Sequence, residues 1–273
     1  MVIRHNLSGM NANRNLNINN DAAAKASEKL SSGYRINRAG DDAAGLAISE
    51  KMRSQIRGLD QGSTNAQDGI SLIQTSEGAL NETQSMLQRL KTLATQAAND
   101  TLTSSDRGQI NTEVTQLQSE ISRLATQTKF NGLQVLNSAS GVLSFQVGGD
   151  AGQKITLNLT SATATTLGVD SSNFSLSTRS KASAALATLD TAINSVSTKR
   201  ANLGAVQNRL EHTVTATDNT SENLSAAESR IRDVDMAKEY LNYSSQNTLV
   251  QAAQSMLSQA NSNSQNVLQL LRG

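Results

Sequence analysis

From Ser183 to Leu224 the chain repeats an apolar position on alternating three- and four-residue steps. The repeat runs Leu186, Leu189, Ile193, Val196, Leu203, Leu210, Val214 and Leu224, with Arg200, Gln207, Thr217 and Ser221 in the gaps. Such a narrow seven-residue seam predicts a long amphipathic helix that needs a partner helix along its length. At ~1.5 Å rise per residue the helix is roughly 60 Å long. Nothing breaks it from within, because the 273 residues contain no Pro.

The same register recurs between Ile56 and Ala97, through Leu59, Ala66, Ile70, Ile73, Leu80, Leu87 and Ala94, with Glu77 as an interruption. A third helix is expected from about Ser105 to Gln127, with Ile110, Val114, Leu117, Ile121 and Leu124 inward. The preceding NDTLTSSD offers it a capping Ser and an acidic first turn. Only 2% of residues are aromatic and 37% are apolar, mostly Ala, Leu, Ile and Val. That composition suits thin helix–helix seams better than a thick aromatic core.

Between about 130 and 178 the period falls to two. Leu143, Phe145 and Val147 alternate with polar residues, GGDAG follows, and then come Ile155, Leu157 and Leu159. This reads as a β-hairpin at about 142–160 with a Gly-rich turn, followed by a Ser/Thr-rich connector. The two ends carry looser helical faces. Ile3, Leu7, Met10, Ile18, Ala22, Ala26 and Leu30 mark one; Leu249, Ala253, Met256, Ala260, Val267 and Leu271 mark the other, widened by Leu257, Leu268 and Leu270. Neither face is apolar enough for a helix that stands alone. The fold class expected is mainly α: an antiparallel coiled-coil rod of long helices with a small hairpin at its far tip and the two termini paired.

Catalytic readings find little support. NRAGDDAAGLAISEKM (37–52) interrupts two helical patterns with Gly40 and Gly45, but it lacks the GxxxxGK[ST] of a phosphate loop. Asp41, Asp42 and Glu50 read as helix capping and dipole placement rather than a metal cluster. His5 and His212 lie apart without HExxH spacing, and no GxSxG elbow occurs. No Cys is present, which excludes disulfides and thiolate metal sites. GGDAG lacks the Asp/Asn ladder of a calcium loop. No catalytic residue, metal or cofactor is therefore expected, and the stretch reads as a joint.

A net charge of +1, from 24 basic and 23 acidic residues without a polybasic block, argues against a nucleic-acid partner. No run approaches 18 apolar residues, so no membrane insertion is expected, and MVIRHNLSGMNANRN has no apolar leader. Export would use another route.

Five stretches carry a family resemblance. SSGYRINRAGDDAAGLAISEKMRSQIRGL (31–59) and NAQDGISLIQTSEGALNE (65–82) resemble the N-terminal region of bacterial flagellins. LGAVQNRLEHT (203–213), ENLSAAESRIRDVDMAKE (222–239) and QANSNSQNVLQLLRG (259–273) resemble the C-terminal region. The resemblance implies a short flagellin with inner and middle layers only. Residues 1–44 and 226–273 would form the inner filament tube and a connecting spoke (34–46 with 226–236). Residues 45–225 would form a middle helical domain with the hairpin. In that layout NRAGDDAAG and SAAESRIRDVD are the two strands of the spoke.

By the same resemblance the chain is secreted, lies in the extracellular flagellar filament and serves motility. Its partners would be many copies of itself, an export chaperone, the filament cap and hook-junction proteins. Subunit contacts would fall on Ile3, Leu7, Met10, Asn37, Arg38, Asp41, Asp42, Arg230, Arg232, Asp233, Leu249, Met256, Val267, Leu268 and Leu271. A host innate receptor would read Arg89, Leu93 and Glu113, although Lys91 and Thr92 stand where the family usually has an Arg-Glu pair. Rival readings are a hook–filament junction protein and a coiled-coil scaffold.

Overall fold

The computed structural model describes residues 6–137, 141–172 and 174–270. Its order is α1 (Leu7–Ser32), α2 (Ala43–Ala97), α3 (Ser104–Gln127), β1 (Lys129–Phe130), β2 (Leu133–Gln134), β3 (Gly141–Gln146), β4 (Lys154–Leu159), α4 (Arg179–Arg232) and α5 (Met236–Leu270). The chain is mainly α, as the periodicity predicts. It divides into two compact units, one of residues 1–54 with 223–273 and the other of Gln55–Glu222.

In the larger unit the seams meet. Leu189, Val196, Leu203 and Leu210 of α4 are buried with Ala66, Ile73, Leu80, Leu87 and Ala94 of α2 and Val114 and Ile121 of α3. The two polar interruptions of the seams face each other. Arg200 Nη2 lies 3.3 Å from Glu77, and Nη1 donates to Gln84 Oε1 at 2.8 Å. The cap of α3 is Thr103 rather than a Ser. Its hydroxyl accepts from Asp106 N, and the Asp106 carboxylate accepts from Thr103 N at 2.9 Å. The Thr103 hydroxyl and backbone together hold the Asp106 carboxyl below the usual carboxylate range.

Strands β3 and β4 pair antiparallel, with Leu143 opposite Leu157 and Phe145 opposite Ile155. Ile155, Leu157 and Leu159 point into the core, and Gly152, at φ 93, turns the chain between the strands. The hairpin does not sit at a far tip. It lies along α2, whose Gly58, Gly62 and Gly69 face Gly149, Val147 and Phe145. A Cβ on Gly58 would stand 2.7 Å from Gly149 Cα, and one on Gly62 would stand 2.6 Å from the Val147 carbonyl. The missing side chains make the groove that the hairpin occupies.

A second, smaller hairpin joins β1 to β2 through Asn131 and Gly132, at φ 47 and φ 81. The Ser/Thr-rich stretch after β4 is more than a connector. Ala162, Ala164, Leu167, Val169, Phe174 and Leu176 enter the core, and Asn111 Oδ1 accepts from Leu176 N at 2.9 Å.

Candidate functional site

The smaller unit is built differently. Its main elements are α1 and α5, which run antiparallel. Asn6 Nδ2 donates to Ala260 O at 3.2 Å near one end, and Val234 N donates to Gly33 O at 3.0 Å near the other. Helix α1 starts where the Asn6 side chain accepts from Gly9 N at 2.9 Å, and stops at Gly33, whose φ of 74 favours glycine. Both tail segments are thus helical and paired.

What this unit lacks is a core. Among its described residues the buried apolar side chains are Ala26, Ile36 and Ala260. Leu7, Met10 and Ile18 on α1, and Met236, Tyr240, Leu241, Leu249 and Met256 on α5, are exposed; Met256 and Leu241 reach 66% and 71%. Full burial of one such side chain is worth about 1.5–3 kcal/mol. That much apolar surface left in water is unusual for a chain that stays alone.

Of the contact residues expected from sequence, Leu7, Met10, Leu249 and Met256 therefore lie on this exposed face. Ile3 and Leu271 fall outside the described residues, as do the side chains of Val267 and Leu268. Ile18, which the sequence places on the N-terminal apolar face, is exposed as well, and so are Met236, Tyr240 and Leu241 on α5, which were not expected.

The joint at 34–46 and 226–236 is not two strands. Helix α4 continues through SAAESRIR to Arg232, and pairing is limited to one antiparallel bridge between Tyr34 and Asp233. Arg35 N donates to Arg232 O at 2.6 Å, and Arg35 Nη2 donates to Ile231 O. The Arg232 guanidinium lies 4.9 Å from the Tyr34 ring centre and bonds Glu50 at 2.7 Å. The repeating helical pattern wins over the strand reading because Ala226, Ala227 and Arg230 are strong helix formers.

The acidic pair acts on its own backbone. Asp42 Oδ1 accepts from Gly45 N at 2.9 Å and caps α2. Asp41 accepts from Asn37 N and Arg38 N at 3.1 and 3.0 Å. Those backbone bonds, helped by Lys29 and Lys25, hold the Asp41 carboxyl below the usual range. Arg38 pairs with Glu28 at 3.0 Å, Arg230 donates to Ala226 O, and Asp233 accepts from the Ser229 hydroxyl. The glycines of this stretch do not supply a left-handed turn; Gly33 does. Gly45 matters because a Cβ there would meet Ile36 Cδ1 at 2.8 Å and Asp42.

In the larger unit Arg89 and Glu113 form an exposed two-bond pair at 2.8 and 3.2 Å. This bond, with the charge of Glu113, raises the Arg89 guanidinium further. Leu93 is 2% exposed and belongs to the core. Among the described residues no three His, Cys, Asp or Glu side chains could hold a metal ion, and no helix is long and apolar enough to cross a membrane.

One cored unit beside a helix pair with exposed apolar side chains is the arrangement expected of a self-assembling structural subunit. The model of the bacterial flagellin N-terminal helical region matches residues 3–141, and that of the bacterial flagellin C-terminal helical region matches residues 186–271. The sequence is 53% identical over 272 residues to a flagellin of Halalkalibacterium halodurans, covering 100% of each chain. It is 49% identical over 286 residues to the flagellar filament 33 kDa core protein of Treponema phagedenis, again covering 100% of each. The crystal structure of Bacillus cereus flagellin is similar over 60% of this chain and 94% of that one, at 31% identity and a TM-score of 0.52. The chain belongs to the bacterial flagellin family. It is a structural subunit that polymerises into the flagellar filament, an extracellular appendage, and not an enzyme.

Proposed function

We propose that polymerisation proceeds by burying the exposed apolar side chains of the α1–α5 pair against neighbouring copies. The observation that carries this is the contrast inside one chain. Among its described residues three buried apolar side chains hold the tail unit, while Leu7, Met10, Ile18, Met236, Tyr240, Leu241, Leu249 and Met256 stand in water. An identical contact that does not close on itself grows into an open helix. The joint residues Asn37, Arg38, Asp41, Asp42, Arg230, Arg232 and Asp233 set the tail pair's local geometry and border that contact. In the lone subunit the tail helices fray, and docking completes them.

Secretion as an extended chain, an export chaperone over the C-terminal helix, a filament cap and hook-junction partners extend the same reading. So does a host innate receptor that reads the Arg89–Glu113 pair. The exposure of that pair supports the receptor reading, with Leu93 as the buried support beneath.

Deleting residues 236–273 tests the central step. Negative-stain microscopy of seeded protein is expected to show no filaments, while circular dichroism retains the helices of the larger unit. Filaments that persist after the deletion overturn the proposal. A double variant, Leu249→Asp with Met256→Asp, keeps α5 present and is expected to give the same loss.

A further inference from the structure

In the larger unit Lys199 stands apart from the other charged side chains. It is half-buried on α4 and borders a cavity of 250 Å³ with a buried apolar side of Leu80, Val135, Leu136, Leu159 and Leu203 and a polar rim of Asn158, Thr160 and Asn202. Its Nζ donates to Thr160 Oγ1 at 2.6 Å. Among the described residues no carboxylate lies within ion-pair distance of it, whereas Lys91 is paired with Asp190. A cation held against apolar walls without a counter-ion is a costly arrangement. Burial accordingly pulls the Lys199 amine below the usual lysine range, which raises the share of neutral, nucleophilic amine.

We propose that Lys199 is a carbonyl-reactive modification site that takes short-chain aliphatic aldehydes. The alkyl chain enters the leucine-lined cavity, and the amine at its border closes on the carbonyl. The cavity lies below the ~300 Å³ at which pockets for drug-sized ligands begin, so it accepts a chain of a few carbons. The Nζ lone pair attacks the carbonyl carbon and forms the C–N bond. The carbonyl oxygen gains a proton, and the carbinolamine then loses water, taking the second amine proton, to leave an imine. The step is reversible and needs no oxidant or reductant.

The chain has nine lysines, which makes the test an internal competition. The full-length monomer is treated at neutral pH with limiting pentanal, with cyanoborohydride to trap the imine, and alkylation at each lysine is followed by peptide mass spectrometry. Lys199 is expected to react several-fold faster than the exposed Lys154 and Lys181, and Lys199→Arg is expected to abolish that fast site alone. With glyceraldehyde, whose hydroxyls fit the leucine side of the cavity poorly, the preference is expected to shrink. Equal rates at Lys199, Lys154 and Lys181 overturn the proposal. An undiminished preference with glyceraldehyde also overturns it, because the cavity would then play no part.

Discussion

Arg200 stands in the α4 seam where an apolar residue would continue the heptad, and Glu77 does the same on α2. Their pairing at 3.3 Å turns two apparent faults into one ion pair, though Arg200 Nε keeps no partner. Either single variant breaks the pair, and its cost depends on how well water reaches the partner left behind. Arg200→Met, similar in length and apolar, is expected to change stability by less than about 1 kcal/mol, while Glu77→Ala destabilises more by leaving a half-buried guanidinium short of its partner. Urea unfolding of the full chain followed by circular dichroism measures both.

Asp41 supports a prediction about pH. Its carboxyl is lowered in the folded chain by the amides of Arg38 and Asn37, so the stabilisation is present above the unfolded carboxylate value of ~3.9 and is lost as pH falls through the lower folded value. The protection of the Asn37 and Arg38 amides, their exchange rate relative to that of an unstructured amide at the same pH, is therefore expected to be flat from neutral pH down to about 4 and to fall below it. Asp41→Ala is expected to remove that dependence.

At the scale of elements, glycines inside α2 carry opposite expectations. Gly62 has the Val147 carbonyl 2.6 Å from where a Cβ would sit, whereas Gly78 is exposed with nothing within 4 Å. Gly62→Ala is expected to push the hairpin from its groove at a net cost of about 1–3 kcal/mol, and Gly78→Ala to stabilise by up to about 1 kcal/mol through helix propensity alone. Thermal unfolding of the two variants side by side separates packing from propensity.

The elements were legible where periodicity is the whole signal. The seams of α2, α3 and α4 and the alternation of β3 and β4 follow from side chains that must reach one face. The small hairpin at Asn131–Gly132 was not expected, although an Asn-Gly pair favours a tight turn and was a signal for it. The position of the larger hairpin was not legible. It depends on Gly58, Gly62 and Gly69 falling on one side of a helix, a pattern of absent side chains that an apolar search does not register. The spoke strands failed for the converse reason: a polar stretch rich in Ala and Arg stays helical unless something stops it.

For the whole molecule, the uneven distribution of core predicts uneven protection. In the isolated chain, amides in α1 and the first part of α5 are expected to exchange well before those near Leu87, Leu90 and Leu189, which sit at 0% exposure. Hydrogen exchange read by mass spectrometry shows this directly, and the gap is expected to close once seeds convert monomer into filament. Tail amides as protected as the core amides in dilute monomer would contradict docking as the step that completes the tail helices. The tail helices were anticipated from sequence as a pair. The extent of their bare face was not, because exposure is a property of the neighbours a helix does not have.

Tyr34, Tyr240 and Tyr243 are the only tyrosines, there is no Trp, and all three rings fall within the tail unit. Ultraviolet emission from this molecule is therefore silent about its larger half and reports on the ends alone. With the Tyr240 ring 63% in solvent, a change in its brightness on adding seeds would clock each subunit's arrival without any attached dye.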